Sequence, residues 1–421
     1  MKKLVILGAG TGGTIMANVM RRKLDSKEWS ITIIDQTVEH IYQPGLLFLP
    51  FSLYGYDGPE AVKKPRKQFF PTGVDFVNSE IKLIDHKNKR VETGGAGSFE
   101  YDFLIIALGV DISYADIPGM TEGMGKNIFS FYQLEGALQL QRALSYMESG
   151  RLVLNIAEMP IKCPVAPIEF VYLADYFFQL KGIRDRIEIV LSTPLGGVFT
   201  KPIAASVFSK YLEEKNIHTE VNFAIGEVDH ENKVMKSYDG HEIPYDVLVS
   251  IPPNLGPDVI DESGLGTGSG FAVVDEHTLR STRAEGVYVL GDVANVHTSK
   301  AGSVTHFMSE IVTANLMDEI QGKAPSCLYD GHSNCFIESG YHKAFLIDFN
   351  YDTEPLPGSF PLAGVGPFKL LKETRINHMG KMAFRNIYWN RMLKGKDVAP
   401  FGLVEANMST SGKQMELLEK T

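Results

Sequence analysis

Residues 4–13 read Leu4-Val5-Ile6-Leu7-Gly8-Ala9-Gly10-Thr11-Gly12-Gly13, a short apolar run that breaks into a G-x-G-x-x-G turn. Four consecutive apolar residues ended by glycine suit a strand buried on both faces. In the turn, Gly8 permits a tight reversal, Gly10 lets the backbone approach a pyrophosphate, and Gly13 lets the next helix pack closely on the strand. That helix then offers its free N–H groups to the phosphates. A second strand, Ile31-Thr32-Ile33-Ile34, ends at Asp35, 22 residues after Gly13. A carboxylate there reaches a ribose hydroxyl. The first expectation is a dinucleotide held by Gly8, Gly10, Gly13 and Asp35.

Further strand-like runs follow at Phe103–Leu108, Leu152–Ile156, Ile187–Leu191, Val247–Ile251 and Val287–Leu290. Helical patterns lie between several of them, which predicts an α/β fold of parallel sheets with crossover helices. A length of 421 residues suggests two or three domains. With 44% hydrophobic and 22% charged residues, the chain is neither disordered, collagen-like nor a multi-span membrane protein. A net charge of -10 argues against a nucleic-acid partner. Three cysteines cannot build a disulfide scaffold, so any importance they have is chemical. The apolar run after Met1-Lys2-Lys3 stops at Gly8, too early for a secretory leader, and no run of 18 apolar residues occurs. The expected location is the cytoplasm, or a membrane face reached from it.

The charge balance reverses near the end. Between Pro367 and Lys396 eight basic residues stand against Glu373 alone, interleaved with Phe368, Ile376, Met379, Met382, Phe384, Ile387, Tyr388 and Trp389. A basic, aromatic, Met-rich segment on an acidic chain reads as a membrane-surface element, or equally as an amphipathic helix packed on its own domain.

Two later motifs bear on the cofactor. Tyr101-Asp102-Phe103-Leu104-Ile105-Ile106-Ala107-Leu108-Gly109 and Val287-Tyr288-Val289-Leu290-Gly291-Asp292 resemble the strand-and-turn motifs of flavoproteins with two dinucleotide-binding domains. The resemblance implies FAD, with Gly109, Gly291 and Asp292 added to its site. At the position of a second glycine motif stands Ile156-Ala157-Glu158-Met159-Pro160, which has no glycine. Glu158 repels a pyrophosphate and Pro160 has no N–H to donate, so the second domain is expected to lack a nicotinamide cofactor.

The following residues, Lys162-Cys163-Pro164-Val165-Ala166-Pro167-Ile168-Glu169, resemble the cysteine motif of sulfide:quinone oxidoreductases. So do Tyr329-Asp330-Gly331-His332-Ser333-Asn334-Cys335, Thr298-Ser299-Lys300 and His378-Met379-Gly380-Lys381-Met382-Ala383-Phe384. The resemblance implies a redox-active pair, Cys163 and Cys335, which oxidises sulfide to persulfide or polysulfide and passes electrons through FAD to a membrane quinone. It implies a proton-handling role for Glu169, a quinone grip by Lys381 and Phe384, and a place for Lys300 beside the flavin. No metal is implied. Cys163 lies just before a helix, where the dipole is expected to lower its thiol pKa. The stretch from Gly109 to Leu140 has no cysteine, which suggests a two-cysteine subgroup, and Cys327 fits no motif.

The resulting expectation is an α/β protein of two Rossmann-like domains, of the disulfide-reductase type, with a C-terminal membrane-facing segment. The FAD domain is discontinuous, 1–112 and 278–345; the second domain is 113–277; the quinone region is 346–421. Expected partners are sulfide, a membrane quinone and, peripherally, a bilayer surface on the cytoplasmic side, with a homo-oligomer possible. Rival readings are a type II NADH:quinone dehydrogenase, a flavocytochrome-type sulfide dehydrogenase and a non-catalytic FAD-binding scaffold.

Overall fold

The apolar run at the N-terminus forms the middle strand, Lys2–Leu7, of a five-stranded sheet in a computed structural model that describes residues 1–362 and 365–396. The strand order is Val287–Val289, Phe103–Ile106, Lys2–Leu7, Trp29–Asp35, Asp75–Asn78, and every pair is parallel. Leu4, Val5, Ile6 and Leu7 are all buried, because helices or loops cover both faces of a parallel sheet. A second five-stranded parallel sheet runs Ile128–Phe129, Val247–Ile251, Gly150–Ile156, Ile187–Ser192, Ile217–Glu220. The first sheet thus gathers strands from both ends of an intervening segment that builds the second.

A third large sheet is mixed and four-stranded, in the order Ser333–Gly340, Lys343–Phe349, Gly366–Leu370, Gly358–Leu362. Its second strand spans the boundary expected at residue 345, so this C-terminal unit starts at or before Ser333. Ser333–Gly340 is an edge strand, and what covers its edge shapes the site described below.

The basic terminal segment is not helical throughout. It opens with the strand Gly366–Leu370 and turns at Thr374, whose hydroxyl accepts the Asn377 N–H at 3.1 Å and caps the helix Arg375–Ile387. Gly380 lies inside this helix and does not interrupt it. A Cβ there would stand 2.7 Å from the Phe336 ring and 2.8 Å from Phe368, so glycine lets helix and sheet approach. The helix buries Asn377 and His378 and exposes Ile376 and Met379, so it is packed on its own unit and also carries an outward apolar face. Among the described residues, no helix is long and apolar enough to cross a membrane.

The contact between the first strand and its helix admits no side chain at Gly13, where a Cβ would fall 1.8 Å from the Gly8 carbonyl oxygen. Since backbone cannot rotate away, Gly13→Ala is expected to cost roughly 1–3 kcal/mol of stability. A lower Tm together with reduced flavin content of the purified protein checks this; an unchanged Tm contradicts it.

Candidate active site

The glycine loop has the geometry its sequence implies. Gly8 has φ +89°, and a Cβ on it would meet the Ala107 carbonyl oxygen at 2.4 Å, whereas a Cβ on Gly10 would meet nothing within 4 Å. Gly8 is therefore spent on the fold and Gly10 faces open space, which is where a ligand backbone contact is made. At the end of its strand, Asp35 accepts the Ala9 N–H at 2.7 Å through Oδ2, pairs with Arg66, and accepts the Thr37 N–H at 2.8 Å through Oδ1. Gly109 (φ +72°) and Gly291 (φ +78°) turn the chain sharply after two other strands of the same sheet. These turns lie at the carboxyl ends of parallel strands, the side on which such sheets bind ligands. The residues present fit FAD.

In the second sheet, the strand Gly150–Ile156 and the helix Ala166–Leu180 are separated by residues 157–165, too long a connection for a phosphate-gripping turn. Cys163 occupies this connection with φ +52°, left-handed backbone that a non-glycine residue adopts only when its surroundings impose it. What imposes it is visible. The Cys163 N–H donates to the Lys300 carbonyl at 2.6 Å, and its own carbonyl accepts the Ala166 N–H at 2.9 Å and the Tyr132 hydroxyl at 3.3 Å. Lys300 in turn donates through Nζ to the carbonyls of Asp292, at 2.6 Å, and Ala294, at 3.2 Å. The cysteine loop is thus tied to the late glycine–aspartate motif of the first sheet.

Cys335 lies on the edge strand Ser333–Gly340, which packs against the helix following Cys163. An edge strand presents unpaired backbone groups that have to be satisfied. Here Glu169 accepts the Glu338 N–H at 2.6 Å, and Lys381 donates to the Phe336 carbonyl at 2.8 Å. Glu169 and Lys381 also form an ion pair, with side chains only 2% and 10% exposed. Lys381 lies over the Phe48 ring, 5.5 Å from its centre, and Phe384 follows one turn later, packed on the main core. Cys163, Cys335, Glu169 and Lys381 are therefore gathered at one place, with Phe384 beside them. Tyr132 and Glu338 complete it; no motif flagged either, because their roles depend on a backbone carbonyl and a strand edge.

Electrostatics correct one expectation. The Cys163 thiol is not activated by the helix: burial pushes it well above its ordinary pKa, and neighbouring Cys335 and Glu169 push it further, with Lys381 opposing. The helix begins three residues later, at Ala166, and the Cys163 N–H is already committed to Lys300. Burial likewise pushes Cys335 up to about 12. Both are free thiols, as is Cys327. Burial raises Glu169 against the pull of Lys381, and lowers Lys300 to about 8 against the pull of Asp292. Among the described residues, no cluster of His, Cys, Asp or Glu is arranged to hold a metal ion.

The pyridine nucleotide-disulphide oxidoreductase family profile matches residues 2–147 and 171–314. The chain belongs to this family. The interval between its two matched stretches, 148–170, carries Cys163 and Glu169, so the family's common pattern does not define this site. Other relatives are similar over nearly the whole length. The mitochondrial sulfide:quinone oxidoreductase of Mus musculus is 28% identical over 405 residues, covering 93% of this chain and 86% of that protein. The mitochondrial sulfide:quinone oxidoreductase of Dictyostelium discoideum is 26% identical over 402 residues, covering 94% and 86%. Among solved structures, the sulfide:quinone oxidoreductase of Aquifex aeolicus superposes with a TM-score of 0.79 at 20% identity, covering 98% of this chain and 96% of that one.

Two measurements test the site. Because both thiols titrate above their ordinary range, iodoacetamide labelling of Cys163 and Cys335 in the sulfide-free protein should keep rising between about pH 8 and about pH 10. A plateau reached below that window, read by peptide mass spectrometry, contradicts the raised values. Replacing Lys381 by Met leaves Glu169 buried without its cation and should cost about 3–5 kcal/mol in denaturant unfolding, most of which Glu169→Gln in the same chain restores.

Proposed function

We propose that this chain is a sulfide:quinone oxidoreductase. The observation that carries the reading is the meeting of Cys163 and Cys335, 172 residues apart in sequence, beside the buried Glu169–Lys381 pair. That meeting place is tied on one side to the dinucleotide cradle and on the other to the C-terminal helix. Near full-length similarity to sulfide:quinone oxidoreductases supports it.

The chemistry follows from the residues. Hydrosulfide attacks the disulfide that Cys163 and Cys335 form in the oxidised enzyme. One new S–S bond forms, giving a persulfide on one cysteine, and the old bond breaks, releasing the other as a thiolate. The sulfide sulfur is oxidised by two electrons, and the pair leaves with the freed cysteine. FAD, held at Gly8, Gly10, Gly13, Asp35, Gly109, Gly291 and Asp292, supplies the two-electron transfer that joins this sulfur chemistry to the quinone. Lys300 contributes positive charge beside Asp292. Glu169, whose burial favours its neutral form, takes the proton of hydrosulfide, and Lys381 presents an N–H to a quinone oxygen while Phe384 lies against the head group.

Residues 157–165 speak against the NADH dehydrogenase reading, since they offer Met159-Pro160 and a cysteine where a nicotinamide pyrophosphate needs glycines. With no cysteine between Gly109 and Leu140, the chain fits a two-cysteine subgroup. Peripheral membrane attachment is read from Ile376 (45% exposed), Met379 (67%) and Val365 (72%), exposed apolar side chains in a segment that also exposes Lys372 and Arg375.

Anaerobic mixing with sulfide, and separately with NADH, decides between the readings by flavin absorbance. Sulfide should bleach the wild-type flavin with a long-wavelength charge-transfer band, NADH should not, and Cys163→Ser should abolish the sulfide response. Bleaching by NADH alone would overturn the proposal and place the chain with the dehydrogenases.

A further inference from the structure

A second buried carboxylate lies beside the first and has no part in the chemistry described so far. Glu338, three residues after Cys335, is fully buried. Its Oε1 accepts the Tyr54 hydroxyl at 3.1 Å, and its Oε2 pairs with His378 Nδ1 at 2.9 Å. Its backbone N–H is the group that Glu169 accepts. His378 precedes Lys381 by three residues, so both point from one face of the C-terminal helix towards the edge strand. On its other side, the His378 ring meets His342 edge-on, with centroids 5.3 Å apart, and His342 is exposed.

Two carboxylates, Glu169 and Glu338, thus share one desolvated pocket with one ammonium, Lys381, and one imidazole, His378. With the imidazole neutral, the cluster carries one negative charge more than positive. In this cluster burial, and to a smaller degree the Glu338 carboxylate, favours the protonated form of Glu169 against the pull of Lys381. The other titratable groups facing Glu338 and His378 are Tyr54, from the loop after Phe51, and His342, from the hairpin turn, with Tyr176 of the Cys163 helix behind them against His342; the Tyr54 hydroxyl is driven up by burial and by Glu338. Among these, His342 is the exposed basic side chain, and its ring lies edge-on against that of His378.

We infer that Glu338 and His378 supply a proton to the quinone site, refilled from solvent at His342. The inference rests on the sulfide:quinone reading for the identity of the electron acceptor. Reducing a quinone consumes two electrons and two protons and makes two O–H bonds. One proton leaves the Glu169–Lys381 pair and the second leaves the Glu338–His378 pair, whose own charge imbalance is then restored from bulk water through His342. Neither Glu338 nor His378 is among the charges acting on Cys163 or Cys335, while Glu338 does act on Glu169, so their loss falls mainly on the quinone half-reaction.

The test separates the halves. Holoenzyme reduced with stoichiometric dithionite is mixed with a short-chain quinone, and flavin reoxidation is followed across the pH range; sulfide-driven flavin reduction is measured apart. In Glu338→Gln, which keeps the shape of the buried group, and in His378→Ala, reoxidation should slow about 10- to 100-fold and fall more steeply as pH rises. Added imidazole should restore His378→Ala, and sulfide-driven reduction should change less than about twofold, a margin small beside that loss. Unchanged reoxidation, or slowing of both halves alike without imidazole rescue, would overturn the inference and leave the pair a structural one. Because reoxidation starts from dithionite, failure of sulfide to bleach the wild-type flavin would remove the sulfur reading and leave this measurement standing. Failure of the reduced wild type to react with quinone would remove both.

Discussion

The buried ion pair between Glu169 and Lys381 is the constraint around which the site is organised. The strand carrying Cys335 lies at the edge of its sheet, and its outward Phe336 carbonyl and Glu338 N–H cannot be left dry and unpaired. A carboxylate and an ammonium satisfy one each and then satisfy one another. The carboxylate comes from the helix behind Cys163 and the ammonium from the C-terminal helix. Three segments distant in sequence are thereby fixed at one point. A hydrophobic pair could fill the same volume, often at no loss of stability. It would leave the strand edge unsatisfied and the pocket without exchangeable protons.

That pocket also shows why a thiol next to a helix need not be an activated one. A helix N-terminus lowers a thiol pKa through its free N–H groups, and the effect fades beyond the first turn. Cys163 stops short of the turn and gives its N–H to Lys300. Burial and two neighbouring acidic groups then dominate, and all of them disfavour the thiolate.

Parts of this were legible in the chain. The seven apolar runs all became strands of the two parallel sheets, because a strand buried on both faces must be apolar throughout and reads as such locally. The first glycine motif behaved residue by residue, with Gly8 and Gly13 consumed by close backbone contact and Gly10 left open. The C-terminal unit read less well. Its four-stranded sheet went unrecognised, because strands covered on different faces by different elements show no single period. Gly380, inside the C-terminal helix, is a point of close packing that its sequence neighbours do not announce. Glu338 and His378 carried a faint signal in the three-residue spacing of His378 and Lys381, which has meaning only once both are known to face the same strand.

The sequence by itself determined the two parallel sheets and the dinucleotide loop, since each is written in contiguous stretches whose chemistry is local, and it pointed to Cys163 and Cys335 through a family resemblance. Tertiary structure alone decided what those cysteines are like. The approach of Cys335 to Cys163, the raised thiol pKa values and the burial of Glu338 all depend on groups distant in sequence. Local sequence records propensity and spacing. Desolvation and charge coupling are set by whatever the fold brings within a few ångströms.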